Sequence, residues 1–305
     1  MTTSMRTSNL NGILPPVTTP FNARGDLDYG ALSSNIERYN ETGLVGYVAL
    51  GSNGEAVHLA ADERRLLVET VKRAATNEHT IVAGVNELST RAAIEAARAG
   101  ADCGADAVLV VTPYYYKSSM SQEALARHFT EVADHSPLPV LIYNVPQNTG
   151  VVIESQTIVA LGEHQNIIGV KDSAGNMGAI SETIRSAPEG FAVMVGNGGI
   201  LYPSLNMGAT GAVLGVACAA PRVCVELYEA NRAGDHAKAR DLQNRLAPLS
   251  HIVTAGLGVP ALKAAMDMLG FAGGFPRGPL SPVTSSNREK IKSVIRKTGL
   301  FPEIE

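Results

Sequence analysis

The stretch NIIGVKDSAGN, residues 166–176, sets an apolar run of strand length, Ile167 to Val170, directly against a lysine, Lys171. Seven further apolar runs have the same character. They are GILPPV (12–17), GYVAL (46–50), TIVAGV (80–85), AVLVVT (107–112), PVLIYNV (139–145), AVMVGN (192–197) and AVLGVA (212–217). Most are continuous and rich in Val and Ile rather than alternating, so both faces of the sheet should be covered, as in parallel sheets. The segments between them have helical periodicity. ERRLLVETVKRAA places Leu67, Val71 and Ala74 on one face, and EALARHFTEVA does the same with Leu125, Phe129 and Val132. Eight strand runs, seven of them followed by a helical pattern before the next, predict a (β/α)8 TIM barrel. A doubly wound open sheet is the rival, but GILPPVTTP carries no GxGxxG turn and leaves a dinucleotide fold without support.

Beyond the eighth run the pattern predicts three helical segments and no strand. The first spans Pro221, suited to a first helical turn, and DLQNRLAPLSHI, with Leu242, Leu246 and Leu249 in register; the second begins near Pro260; the third, SNREKIKSVIRK, ends before Gly299. A barrel needs about 250 residues. The expected division is a disordered tail over 1–10, the barrel over 11–220, and a C-terminal helical extension packed on it over 221–305.

The formal net charge of −4, with no long Lys/Arg block, argues against nucleic acid or an anionic membrane as partner. No apolar run reaches the ~18 residues of a membrane span. The start, MTTSMRTSNLNG, lacks the apolar core of a secretory signal and echoes a transit peptide only faintly. A cytoplasmic protein is expected, or one of the mitochondrial matrix in a eukaryote. Cys103, Cys218 and Cys224 are odd in number and unpaired in spacing, which suits buried thiols in a reducing compartment. The histidines form no HEXXH-type pattern, so a metal site is not expected.

In a barrel the C-terminal ends of the strands face the active-site mouth. Here they read GSNGE (51–55), TPYYY (112–116), YNVP (143–146), KDS (171–173) and GNGG (196–199). Burial among apolar walls disfavours an ammonium, and a neutral amine attacks carbonyls, so Lys171 is a candidate nucleophile. It could equally pair with Asp172 or lean out to solvent. Tyr143 ends the adjacent strand, within reach of anything Lys171 holds, and could shuttle protons or simply sit at the rim. The glycines around Ser52 and Asn53 could aim backbone N–H groups at a carboxylate, or form a tight turn. Gly196, Gly198 and Gly199 could let a substrate lie against the backbone, or make a phosphate loop, though no Lys or Arg lies nearby. Tyr114, Tyr115 and Tyr116 are either an interface plug or a source of substrate-directed hydroxyls.

Taken together, these motifs resemble the dihydrodipicolinate synthase/N-acetylneuraminate lyase family of Schiff-base aldolases, from GILPPVTTPF (12–21) to GPLSPVT (278–284). Within it the chain is most similar to 4-hydroxy-2-oxoglutarate aldolases, through GSNGE, TPYYY, YNVPQNTG (143–150) and VKDSAG (170–175). The resemblance implies a lyase that cleaves 4-hydroxy-2-oxoglutarate to pyruvate and glyoxylate, with Lys171 as Schiff-base lysine and Tyr143 as proton-transferring phenol. It implies that Ser52 and Asn53 hold the pyruvyl carboxylate and relay protons, and that Ser173 and Gly196 line the pocket. Tyr115 would complete the relay, often from a neighbouring subunit, in a homotetramer built as a dimer of dimers. No cofactor is implied, since the lysine itself supplies the electron sink. One departure separates the chain from the synthases: they carry an arginine, which grips the carboxylate of aspartate semialdehyde, where this chain has Asn148. Related activities are a 2-keto-3-deoxy sugar acid aldolase or dehydratase, dihydrodipicolinate synthase, and a barrel that binds keto acids without turnover.

Overall fold

The computed structural model describes residues 10–302. Eight parallel strands form one sheet: β1 Ile13–Leu14, β2 Gly46–Ala49, β3 Thr80–Val85, β4 Ala107–Val111, β5 Val140–Asn144, β6 Ile167–Asp172, β7 Ala192–Val195 and β8 Gly211–Val213. Their spatial order is β1-β8-β7-β6-β5-β4-β3-β2. The ring closes where Val45 N donates to Ile13 O (3.2 Å), Val48 N to Pro15 O (3.0 Å) and Val17 N to Val48 O (3.0 Å). Pro15 and Pro16 have no N–H, which is why β1 is so short and its contact with β2 is a set of single bonds. The fold is the expected TIM barrel. The eighth strand stops at Val213 because the chain turns into a 3-10 segment, Gly215–Cys218.

Around the sheet run α1 Tyr29–Tyr39, α2 Ala61–Ala74, α3 Thr90–Asp102, α4 Gln122–His135, the short α5 Pro146–Thr149, α6 Ser155–Gly162, α7 Met177–Ser186, α8 Leu201–Asn206 and α9 Pro221–Arg232. Then come α10 His236–His251, a five-residue π-helical turn at Ile252–Gly256, α11 Gly258–Met268 and α12 Ser285–Thr298. One expectation changes. The first segment after β8 is two helices, because Gly234 takes a positive φ of 77° and Asp235 caps a new helix through Lys238 N at 3.0 Å. Of these, α9 packs against α10 as well as against α8 and β1. The expected tail lies outside the described residues except for Leu10, which is fully buried beneath the barrel interior.

Two apolar layers result. Leu14, Val48, Val82, Leu109, Leu141 and Met194 fill the barrel itself, and a larger layer lies between sheet and helices. The stripes expected on α2, α4 and α10 are buried, with Ala74 at the margin. All three cysteines are free and buried. No helix among the described residues is long and apolar enough to cross a membrane.

The outer layer also encloses a histidine. His128 on α4 is buried, its Nδ1 2.9 Å from the Thr90 hydroxyl, and its Nε2 has no hydrogen-bond partner. Burial lowers its pKa from 6.5 to about 4. Between those values the unfolded chain takes up a proton that the folded chain refuses, so stability is lost as pH falls from 6.5 towards 4. The loss should total about 3 kcal/mol. Urea unfolding across this range should show a shallower pH dependence in His128→Gln than in the wild type; identical slopes would remove His128 from the account.

Candidate active site

Strand pairing decides which side chains meet. Lys171 on β6 stands opposite Tyr143 on β5, and both side chains point into the barrel. The next rung, Asn144 with Asp172, points the other way, because successive residues alternate between faces. Asp172 therefore cannot pair with Lys171. Instead it accepts from Asn144 Nδ2 (2.8 Å) and Ala174 N (2.9 Å), and burial raises its pKa against the pull of these bonds. Lys171 is only 3% exposed, and among the described residues no carboxylate lies within ion-pair distance of it. Its Nζ lies 4.0 Å from the centroid of the Tyr143 ring.

Tyr143 is the electrostatic counterpart. Burial by itself raises a phenol pKa, but the Lys171 charge and the polar groups of Ser52, Lys171 and Ser173 around the oxygen outweigh it, holding the phenol below its ordinary value of 10. The Ser52 hydroxyl lies 3.3 Å from the Tyr143 oxygen. An amine without a counter-ion, touching a phenol that ionises easily, can form an imine and move a proton beside it.

The Ser52–Gly54 turn that completes this group is held under strain. Leu50 (φ 59°) and Glu55 (φ 54°) bracket it, both in the left-handed region that non-glycine residues avoid. Beneath the turn, Glu55 forms a buried ion pair with Lys263 of α11, each side chain 1% exposed. Lys263 Nζ also donates to Thr19 O and Phe275 O, both at 2.7 Å, and Glu55 Oε2 accepts from Arg277 N at 2.9 Å. Desolvation pulls the Lys263 pKa down against the opposing influence of Glu55. Asn53 lies against Gly215 beyond β8, where a Cβ would strike its amide nitrogen.

The rungs continue past the strand ends and place the rim. Ser173 N donates to Asn144 O (2.8 Å), and Gly196 N donates to Asp172 O (2.6 Å). A Cβ on Gly196 would fall on the Ser173 hydroxyl, so glycine is required for the serine to face Tyr143. The β7 loop is braced from the extension, Gln243 Nε2 donating to Gly198 O (2.9 Å) and its Oε1 accepting from Tyr202 N (2.8 Å). Gly199 N is already bonded to Asn197 Oδ1 (2.8 Å), which removes one donor from the phosphate-loop alternative.

Lys171, Tyr143, Ser52, Asn53, Ser173 and Gly196 all line one cavity of about 720 Å³. Tyr115 does not. It is 71% exposed and lines a separate hollow of about 420 Å³ with Leu88, Pro113, Tyr116 and Met120. Among the described residues no three His, Cys, Asp or Glu side chains gather as metal ligands.

The barrel has known counterparts. Residues 9–298 match the model of the dihydrodipicolinate synthetase family. The chain belongs to that family. Its members are pyruvate-dependent class I lyases that work through a Schiff base. A 4-hydroxy-tetrahydrodipicolinate synthase of Methanothrix thermoacetophila is 37% identical over 94% of this chain and 96% of its own. The structure of the corresponding synthase of Methylacidiphilum fumariolicum SolV matches with a TM-score of 0.90 at 31% identity, covering 96% and 98% of the two chains. A monomeric dihydrodipicolinate synthase variant matches at 0.91 and 28% identity, covering 96% and 98%. These relatives carry the synthase name, not that of a 4-hydroxy-2-oxoglutarate aldolase, so the finer resemblance drawn from the motifs rests on this chain's own residues.

Sequence reasoning passed over Glu55, Lys263, Gln243 and the wall formed by α10 and the π-helical turn. Lys263 lies in ALKAAMDM (261–268) and carries the signal that drew attention to Lys171, a lone lysine in an apolar run. Removing it by Lys263→Met leaves the Glu55 charge buried and unpaired, which should cost about 3–5 kcal/mol. In urea unfolding, the double variant Lys263→Met/Glu55→Leu should recover a large part of that loss. Independent, additive losses would show that the pair is not coupled.

Proposed function

We propose that the protein is a 4-hydroxy-2-oxoglutarate aldolase that releases pyruvate and glyoxylate. The observation that carries this reading is Lys171, buried without a carboxylate and in contact with a phenol of lowered pKa, in a cavity with Asn148 on its wall. Lys171 attacks the C2 carbonyl of the keto acid, and loss of water gives a protonated imine. Ser52, Asn53 and the turn that bears them receive the adjacent carboxylate. Tyr143, as phenolate, takes the proton of the C4 hydroxyl. The C3–C4 bond then breaks, its electron pair passes into the imine to form an enamine, and C4 leaves as the aldehyde carbon of glyoxylate. Tyr143 returns its proton to C3, and water hydrolyses the imine to free pyruvate and the amine.

Relatives named as 4-hydroxy-tetrahydrodipicolinate synthases support a second reading, condensation of pyruvate with aspartate semialdehyde. Asn148 speaks against it, since an amide cannot replace the charged, bidentate contact of an arginine. Tyr115 is proposed to reach the Lys171 cavity of a second copy within a dimer of dimers, because its exposure leaves it free to do so while its own cavity lies apart. The monomeric relative shows that the barrel alone does not dictate assembly.

Borohydride with pyruvate should inactivate the enzyme and leave a reduced pyruvyl adduct on the peptide containing Lys171. A substrate panel should then show glyoxylate release from 4-hydroxy-2-oxoglutarate and semialdehyde condensation at least ten times slower, the roughly 1.5–3 kcal/mol of one lost charged contact. An adduct on another lysine defeats the mechanism, and comparable semialdehyde turnover defeats the substrate assignment. For assembly, Lys171→Ala and Tyr115→Phe subunits would be mixed and refolded together. A crossing loop gathers both defects into one site of a heterodimer, and the other site regains wild-type activity. Mixed dimers without that gain would place Tyr115 in its own subunit's site.

A further inference from the structure

The Lys171 cavity is larger than pyruvate requires, and its far side is built by the extension. There α10 ends in the π-helical turn, and His251, Thr254 and Val259 face the space from that side. Among the described residues Lys171 and His251 are the only basic side chains on the lining, and no aspartate or glutamate lines it. A cavity lined by an amine and an imidazole, with no carboxylate to repel it, suits an anionic ligand.

The neutral donors on the wall are partly spent. Thr254 directs its hydroxyl hydrogen to Ser250 O at 2.6 Å, which leaves that oxygen only as an acceptor. Gln147 uses Nε2 on Ser173 O at 3.0 Å. Asn53 is packed against Gly215. An anion at the far end of a ligand held by Lys171 therefore has the His251 imidazole, a ring N–H donor in either protonation state, as its one ionisable partner among the described residues, with the amides of Asn148 and Asn197 as further neighbours.

We propose that His251 determines specificity for the distal end of the substrate, by binding the far carboxylate of a keto diacid whose ketone is joined to Lys171. The identity of the diacid rests on the aldolase reading above. The presence of an anion subsite does not, because it can be measured without turnover.

The test uses borohydride trapping of the full-length protein by three keto acids that the enzyme cannot cleave. 2-Oxoglutarate has the carbon skeleton of the hydroxy diacid without the hydroxyl, 2-oxopentanoate has the same length with a neutral tail, and pyruvate has no tail. In His251→Gln the half-saturating concentration of 2-oxoglutarate should rise about fivefold, the size of a solvent-exposed ion pair. The values for 2-oxopentanoate and pyruvate should stay within twofold, and the pyruvate value also certifies that the variant is folded. His251→Lys should restore preference for the diacid, and His251→Glu should lower it further. Equal changes for all three acids, or no change for 2-oxoglutarate, would overturn the proposal. If the diacid preference depends on His251 while no glyoxylate appears from 4-hydroxy-2-oxoglutarate, the subsite stands and the aldolase reading falls. If glyoxylate appears and the preference ignores His251, the reverse holds.

Discussion

A charge buried away from water must be matched where it lies, and in this protein the Glu55–Lys263 pair imposes that requirement on the whole molecule. Its partners come from four parts of the chain. Thr19 follows β1, Glu55 follows β2, Lys263 lies on α11, and Phe275 and Arg277 precede α12. None can move without stranding an ion. Arg277 extends the clamp outward, pairing with Glu63 and donating to Gly25 O and His58 O. The extension is therefore no accessory to the barrel. It fixes the underside of the Ser52 turn, and the strained conformations of Leu50 and Glu55 can persist because the surroundings hold them on every side.

The same pair explains why two similar lysines have opposite roles. Lys171 and Lys263 each interrupt an apolar run, and both are almost wholly buried. Lys263 donates to two carbonyls and stands in ion-pair contact with a carboxylate. Lys171 meets a ring face and hydroxyls, and strand alternation turns the nearest carboxylate, Asp172, to the other side of the sheet. What separates a structural lysine from a reactive one here is the partner. Sequence position gives only half of that information: adjacency in the chain made Asp172 look available, whereas the pleat excludes it.

This contrast also marks how far the sequence was legible. Strand positions and helix stripes are local patterns of burial, so all eight strands could be read from continuous apolar runs and the faces of α2, α4 and α10 from helical period. Lys171, Tyr143, Ser52 and Asn53 sit at strand ends, where barrel geometry assigns them to one mouth before any coordinate is known. The parts that escaped are long-range. Glu55 and Lys263 are 208 positions apart by number (263 − 55), and nothing in either segment announces the other. The break between α9 and α10 turned on Gly234, a local signal overshadowed by the helical stripe around it. Tyr115 could be placed after β4, but its distance from the Lys171 cavity depends on the path of the loop that carries it.

The electrostatics of the lysine–tyrosine contact bear on how one phenol could serve twice in the proposed cycle. The Tyr143 pKa is lowered chiefly by positive charge on the nitrogen over its ring. A protonated imine keeps that charge at the same nitrogen, so the phenolate stays favoured when the C4 hydroxyl must lose its proton. Bond cleavage makes the nitrogen a neutral enamine, and the field that favoured phenolate disappears just as Tyr143 has become protonated. Returning the proton to C3 regenerates the cationic imine and, with it, the phenolate. Each proton transfer thus moves with the charge on Lys171 rather than against it. No second titrating group is needed between the two steps, provided that the Ser52 turn keeps its hydroxyl on the phenol, which returns the requirement to the buried pair beneath it.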